Sequence, residues 1–148
     1  MIESHGIQGF FAIYVNGKLD KAIKNRITSA WRNAIRDAMS GDSIDLELKY
    51  LALGTSDAAL SDASTQLGNE QFRTTFLKKE KTSTGQIVST AIALDNEAVF
   101  NIREIGIFAG SATSAANSGI LVSRVLYNRD KTNLESIQFV RTDNIQRG

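Results

Sequence analysis

The chain has 148 residues, 42% hydrophobic and 22% charged, with a formal net charge of +1. That length holds a real core in one domain of ordinary size, the composition excludes a disordered chain, and the near-neutral charge gives no electrostatic case for nucleic acid. The absence of cysteine excludes a disulfide framework and a thiolate metal site, and a single histidine, His5, near the N-terminus argues against a His-based triad and a multi-His zinc site within one subunit.

The absence of cysteine fits a reducing cytoplasm. No apolar run approaches the roughly 20 residues that span a bilayer, so no membrane partner is expected. The apolar run from Gly9 to Val15 is short and follows no basic segment, so it does not read as a signal peptide. Proline is also absent, which leaves the turns to Gly, Asn, Asp and Ser.

Taken in order, IQGFFAIYV (Ile7 to Val15) is a strand that is apolar on both parities. It is central in a sheet or covered by a partner subunit. Asn16-Gly17 marks a turn. Leu19 to Met39 carries apolar residues at helical spacing and predicts one amphipathic helix, with Trp31 in the core. Asp20 is its candidate cap, or the true start lies nearer Arg26, and Gly41 ends it. Lys18, Lys21, Lys24, Arg26, Arg32 and Arg36 make the other face basic. We read that face as solvated, or facing acidic neighbours of another subunit, ahead of phosphate or membrane contact.

Ile44 to Leu53 predicts a strand ending at Gly54-Thr55, and Ser56 to Gly68 a short helix or structured loop. Asn69 to Lys79 and Gln86 to Leu94 predict further strands, joined by an exposed charged stretch and a turn at Ser83-Thr84-Gly85. After a turn at Asp95-Asn96-Glu97 come two runs rich in β-branched and aromatic residues, Ala98 to Phe108 and Gly119 to Tyr127. The link from Ala109 to Ser118 has only small residues, and no helix intervenes, so the pair predicts an antiparallel hairpin with a surface loop. Asn128 to Lys131 reads as a turn, Leu134 to Arg141 as the last strand with Ile137 and Phe139 on its core side, and 142–148 as a polar tail.

The sum is an α+β chain: an antiparallel sheet or sandwich of about seven strands with one amphipathic helix packed on it. It is expected as a single domain over 1–148, with an N-terminal strand and helix (1–41), a β-rich body (42–141) and the tail.

No catalytic constellation accompanies this pattern. Arg103-Glu104 interrupts the central apolar run, and neighbours on a strand face opposite ways. We expect at least one of the two to be buried and paired, with Arg124 of the adjoining strand as the candidate, in a structural cross-strand ion pair rather than a reactive one. Gly106 suggests a bulge, a close backbone approach or a packing constraint. Gly54 with Thr55-Ser56-Asp57 lacks the lysine and register of a phosphate loop. Asp42, Asp45 and Glu47, or Asp57 and Asp62, lack the ligand register of a calcium loop. No metal and no cofactor is expected.

Three stretches together resemble a known family. They are KYLALGTSDAALSDASTQLGNEQFR (Lys49 to Arg73), AVFNIREIGIFAG (Ala98 to Gly110) and SGILVSRVLYNRDKTNLESIQFVR (Ser118 to Arg141). An "ALGT" turn, a Ser/Asp/Thr-rich segment, "LGNE..R", a strand like "I.E.GIF", a small-residue loop, "G.L.SR" and a "K" before a closing strand resemble small structural proteins of tailed bacteriophages, prophages and phage-tail-like bacteriocins. The matching residues are Gly54, Leu67, Asn69, Glu70, Arg73, Glu104, Gly106, Phe108, Gly119, Leu121, Arg124 and Lys131.

The resemblance implies a non-enzymatic virion or tail-particle component at the baseplate or distal tail, assembled in the bacterial cytoplasm. Its partners would be tail, baseplate or fibre proteins and further copies of itself, and it brings no catalytic residue. The alternative is a receptor-binding module for bacterial cell-surface glycan, for which Tyr14, Tyr50 and Tyr127 are the residues to test. A cell-wall-degrading enzyme has the least support, because Glu104 lacks a second convergent carboxylate.

Overall fold

The structure, a computed structural model, describes residues 6–145. Nine strands and one helix follow in the order β1 (Ile7–Val15), β2 (Lys18–Asn25), α1 (Ser29–Met39), β3 (Leu48–Gly54), β4 (Glu70–Thr75), β5 (Lys78–Ser83), β6 (Gln86–Ala93), β7 (Asn101–Ala109), β8 (Ile120–Asp130) and β9 (Ile137–Ile145). They form a five-stranded sheet ordered β2-β1-β9-β6-β5 and a four-stranded sheet ordered β4-β3-β7-β8. Every pairing is antiparallel. The fold is α+β, built as a β-sandwich.

Between the sheets lies the main core. Phe11, Ile13, Val15, Ile137 and Phe139 from the larger sheet meet Leu51, Leu53, Ile105, Ile107, Val122 and Val125 from the smaller one. α1 lies along β8 and adds Trp31 and Ala34 to the same cluster. A second, smaller cluster sits on the far side of the four-stranded sheet, where Ala52, Phe108 and Leu121 are covered by Leu67 and Ala112 from two loops. One sheet therefore has apolar side chains buried on both faces.

The β7–β8 hairpin and β1 stand where their residue patterns place them. The helix is shorter than its periodicity suggests: Lys18 to Asn25 is an edge strand. Asn16 and Gly17 have φ of 48° and 83°, the left-handed pair that a two-residue hairpin turn requires, and Val15 pairs directly with Lys18 across it. That turn sends the chain back along β1 before a helix can start. Asp20 is accordingly no cap. Thr28 is, accepting the Trp31 N–H at 3.1 Å while its hydroxyl donates to the Leu121 carbonyl. Of the basic face, Lys18, Lys21 and Lys24 lie on β2, Arg26 lies in the link, and only Arg32 and Arg36 lie on α1.

Further boundaries differ from expectation, and the strand expected from Ile44 starts at Leu48. The run from Asn69 to Lys79 is two strands in different sheets, and Lys78 to Lys81 is itself an exposed edge strand. Charge on an edge discourages pairing with other chains. Asn128 to Asp130 continues β8, opposite Asn101 and Ile102, so the turn begins at Lys131. Thr142 to Ile145 is not a tail but the end of β9, paired with β1. Ser56 to Gly68 is a structured loop with no helix. His5 and the last three residues of the expected tail lie outside the described residues.

Candidate functional site

The residues that carry the family resemblance converge on the far face of the four-stranded sheet, where two loops are held down by two buried ion pairs. Glu104 on β7 is fully buried and lies beside Arg124 on β8, with 2.7 Å from Nε to Oε1. Its Oε1 also accepts the Gly68 N–H at 2.8 Å. Its Oε2 accepts the N–H groups of Ser56 and Asn69 at 3.0 and 2.8 Å. Arg124 also donates to the carbonyls of Ala58 and Ser56. Both ends of the 55–69 loop are thus tied to one carboxylate and one guanidinium. The converging N–H groups form an anion nest whose anion is Glu104 itself.

Burial by itself would raise the Glu104 pKa. The hydrogen bonds from Arg124 and from the Asn69, Gly68 and Ser56 N–H groups outweigh it and hold the carboxyl below the usual range. Gly54 is required beside this site: a Cβ there would lie 2.5 Å from the Asn69 carbonyl oxygen and closer still to Glu104 Oε2. A Cβ at Gly106 would meet Leu67 at 2.7 Å and Leu121 at 3.2 Å, so that glycine is a packing constraint under the loop.

The second pair, Arg73 and Glu70 on β4, holds the 110–119 loop. Arg73 donates to Glu70 through Nε and Nη2 at 2.8 and 3.0 Å. Its Nη1 reaches the Thr113 and Ser118 carbonyls and the Ser118 hydroxyl. The guanidinium sits over the Phe108 ring at 4.3 Å and the Tyr50 ring at 5.3 Å. Glu70 also accepts the Asn117 N–H. Gly119 closes the loop with φ of 92° against Ala112. Asn69 adds a side-chain bond to Thr55 at 2.7 Å.

Lys131 stands apart, at one end of the sandwich. Its buried ammonium donates to the carbonyls of Leu94, Asp95 and Thr132 and ties the β6–β7 turn to the β8–β9 loop. Burial lowers its pKa, against the opposing charges of Asp95, Glu135 and Glu97.

The largest fully buried side chain among the described residues is that of Arg141, which the sequence pattern marks only as the end of a strand. Arg141 on β9 crosses the sandwich to Ser123 on β8 at 2.9 Å, bonds Asn25 at 3.0 Å and Asp143 at 3.0 Å, and lies over the Phe11 ring. Gly9 leaves room for it. The signal was parity: Arg141 falls on the same face as Ile137 and Phe139.

The remaining candidates have ordinary partners. Arg103 bonds Asp130, Asp45 pairs with Lys49, Glu47 with Lys79 and Asp62 with Arg26. Among the described residues no group of three or more His, Asp or Glu is placed to hold a metal ion, and no helix is long and apolar enough to cross a membrane. Tyr127 is buried with its hydroxyl donated to Asp20 at 2.6 Å, and burial and that carboxylate push its pKa up. An open groove of about 380 Å³ runs between β2, β8 and the 55–69 loop, lined by Ile23, Lys24, Leu60 and Leu126 and flanked by the Arg26–Asp62 pair. Comparison with protein-family models, with curated proteins and with solved structures found no match.

Proposed function

We propose that this protein is a non-enzymatic structural component of a phage tail or tail-like particle. It sits at the baseplate or distal tail and connects fibres or neighbouring tail proteins through protein–protein interfaces, as a homo-oligomer. The observation that carries the reading is the use made of the resembling residues. Gly54, Asn69, Glu70, Arg73, Glu104, Gly106, Phe108, Gly119 and Arg124 meet on one sheet face, and their polar groups are spent on fixing two surface loops. Glu104 takes two donors on each oxygen, which suits a staple and leaves no lone pair directed at a substrate. Rigid loops on a sandwich are the usual means of presenting a recognition surface.

The glycan-binding alternative draws less from the same residues. Tyr127 is buried, and Tyr50 packs under Arg73. Tyr14 and Tyr50 are each partly exposed, both on strands rather than loops.

The test is to purify particles from a host carrying the coding sequence intact or deleted. We expect the chain in the intact particles at fixed stoichiometry, and particles lacking fibres or a neighbouring tail protein after deletion. Complete particles without the chain would overturn the reading.

A further inference from the structure

The outer face of the five-stranded sheet carries an apolar patch, bordered by the polar row Gln8, Asn144 and Gln86, and the patch's side chains belong to neither core. β1 turns Phe11, Ile13 and Val15 inward, so Phe10, Ala12 and Tyr14 point out. Register across the sheet places Val140 and Thr142 of β9, then Val88, Thr90 and Ile92 of β6, on the same side. Phe10, Tyr14, Val88, Ile92 and Val140 are partly exposed, and none belongs to either hydrophobic cluster. α1 lies against β8, in the other sheet. A contiguous apolar patch on an exposed face marks an interaction site.

Its charges show what fits it. Cross-strand register gives the row Lys24, Phe10, Thr142, Val88, Glu80 from one edge of the sheet to the other. The next row is Ala22, Ala12, Val140, Thr90, Lys78, and the third runs Leu19, Tyr14, Gln138, Ile92. β9 is the middle strand. A two-fold axis along β9 lays a second copy face to face, with β2 over β5 and each row over itself reversed. Lys24 then faces Glu80 of the other copy, Phe10 faces Val88, Tyr14 faces Ile92, and Val140 faces itself. Ala12 lies between Phe10 and Tyr14 on β1, and Ala22 beside it lies between Lys24 and Leu19 on β2, so the middle row is small at that edge.

Twisted sheets stack aligned within about 30° at about 10 Å. Five strands at about 4.8 Å spacing, each some six residues long at about 3.4 Å per residue, outline about 490 Å² per copy, or about 980 Å² in total, at the lower limit of about 1,000 Å² for a specific interface. An apolar centre with a charged rim is the anatomy of such contacts.

We infer that this face is a self-contact: two copies of the chain pack through it about a two-fold axis parallel to β9, with Lys24 of each copy paired to Glu80 of the other. The inference deepens the homo-oligomer of the connector reading and rests on it.

Sedimentation of the full chain tests it. The wild type is expected at twice the 16.2 kDa chain mass, or an even multiple of it. Ala12→Arg places a charged bulk at the centre of a solvent face and should weaken association about a hundredfold or more, with an unchanged circular dichroism spectrum. Lys24→Glu and Glu80→Lys should each be monomeric alone, and mixing the two should restore dimers, because both pairs then join opposite charges. A monomeric wild type, dimers that survive Ala12→Arg, or a mixture that stays monomeric overturns the inference. Incorporation into purified particles is scored separately: a monomer that still enters them sinks the self-contact and leaves the tail reading standing, and a dimer that never enters them does the reverse.

Discussion

At the residue scale the informative side chains are charged ones in places where charge is expensive. Glu104 has the shape of a reactive carboxylate in sequence, isolated in an apolar strand, and the role of a knot in the structure. Glu104→Gln keeps its size and removes its charge, leaving Arg124 buried without its counter-ion. We expect a loss of about 3–5 kcal/mol in urea unfolding. A loss of activity in that variant would therefore need a stability control before it said anything about catalysis. The pH dependence has a definite sign. The folded pKa of Glu104 lies below its ordinary value of 4.5. Its contribution is complete above that value and disappears as pH falls through the folded one. Glu135, held low by Arg129, adds to the same slope, so the measurement is the difference between wild type and variant: the variant should lose less stability on acidification below about pH 4.5. Equal slopes would remove Glu104 from the account. Gly54→Ala tests the same knot from the backbone side. Its new methyl meets Glu104 and the Asn69 carbonyl, and overpacking of this kind costs about 1–3 kcal/mol.

At the scale of elements, the loops are where side chains replace regular backbone pairing. The 110–119 loop consists of small residues and is anchored largely by Arg73, with Ser118 adding local bonds to Thr113 and Ala115. Arg73→Lys keeps one charge but cannot reach Glu70, Thr113 and Ser118 together. Losing charge-assisted bonds worth about 1.5–3 kcal/mol should speed amide exchange in 111–118 by about ten- to a hundredfold. The strands should keep their protection, and a variant whose loop exchanges as slowly as the wild type would show that Arg73 is not the anchor. Helix α1 teaches how local signals compete. Leu19, Ile23 and Ile27 have helical spacing, but the Asn16-Gly17 turn decides the fate of the next eight residues, and its chemistry was visible in the sequence. Thr28, the cap itself, is a common N-cap residue type that lay inside the expected helix. Thr28→Ala should cost about 0.5–2 kcal/mol.

At the scale of the molecule, the sandwich was legible because strands and turns leave period-two patterns and Gly, Asn and Asp marks. Assignment of strands to sheets was not, because Phe76-Leu77 carries no turn residue and yet the chain changes sheets there. The loop networks were only half legible. Pairing Glu104 with Arg124 follows from adjacent strands, whereas the bonds from Ser56, Gly68 and Asn69 depend on a loop path that no periodicity encodes. β1 lies between β2 and β9, so the first and last described strands are neighbours and the sheet is continuous only when the two are paired. Phe11, Ile13 and Phe139 then share one core with Trp31 of the helix and with Ile105 and Ile107 of the other sheet. Such a core has no seam along which the N-terminal hairpin and helix could melt alone. Trp31 is the sole tryptophan and reports the helix against β8, while far-ultraviolet circular dichroism reports the strands of both sheets. The two signals should give coincident urea transitions with a common midpoint, as a cooperative domain of this size does. Arg141→Met, which removes the bonds from β9 to Ser123 and Asn25, should move both midpoints together. If the Trp31 transition precedes the strand transition, the segment up to Met39 folds as a separate unit, and the continuity of the core across the two sheets is not what holds it.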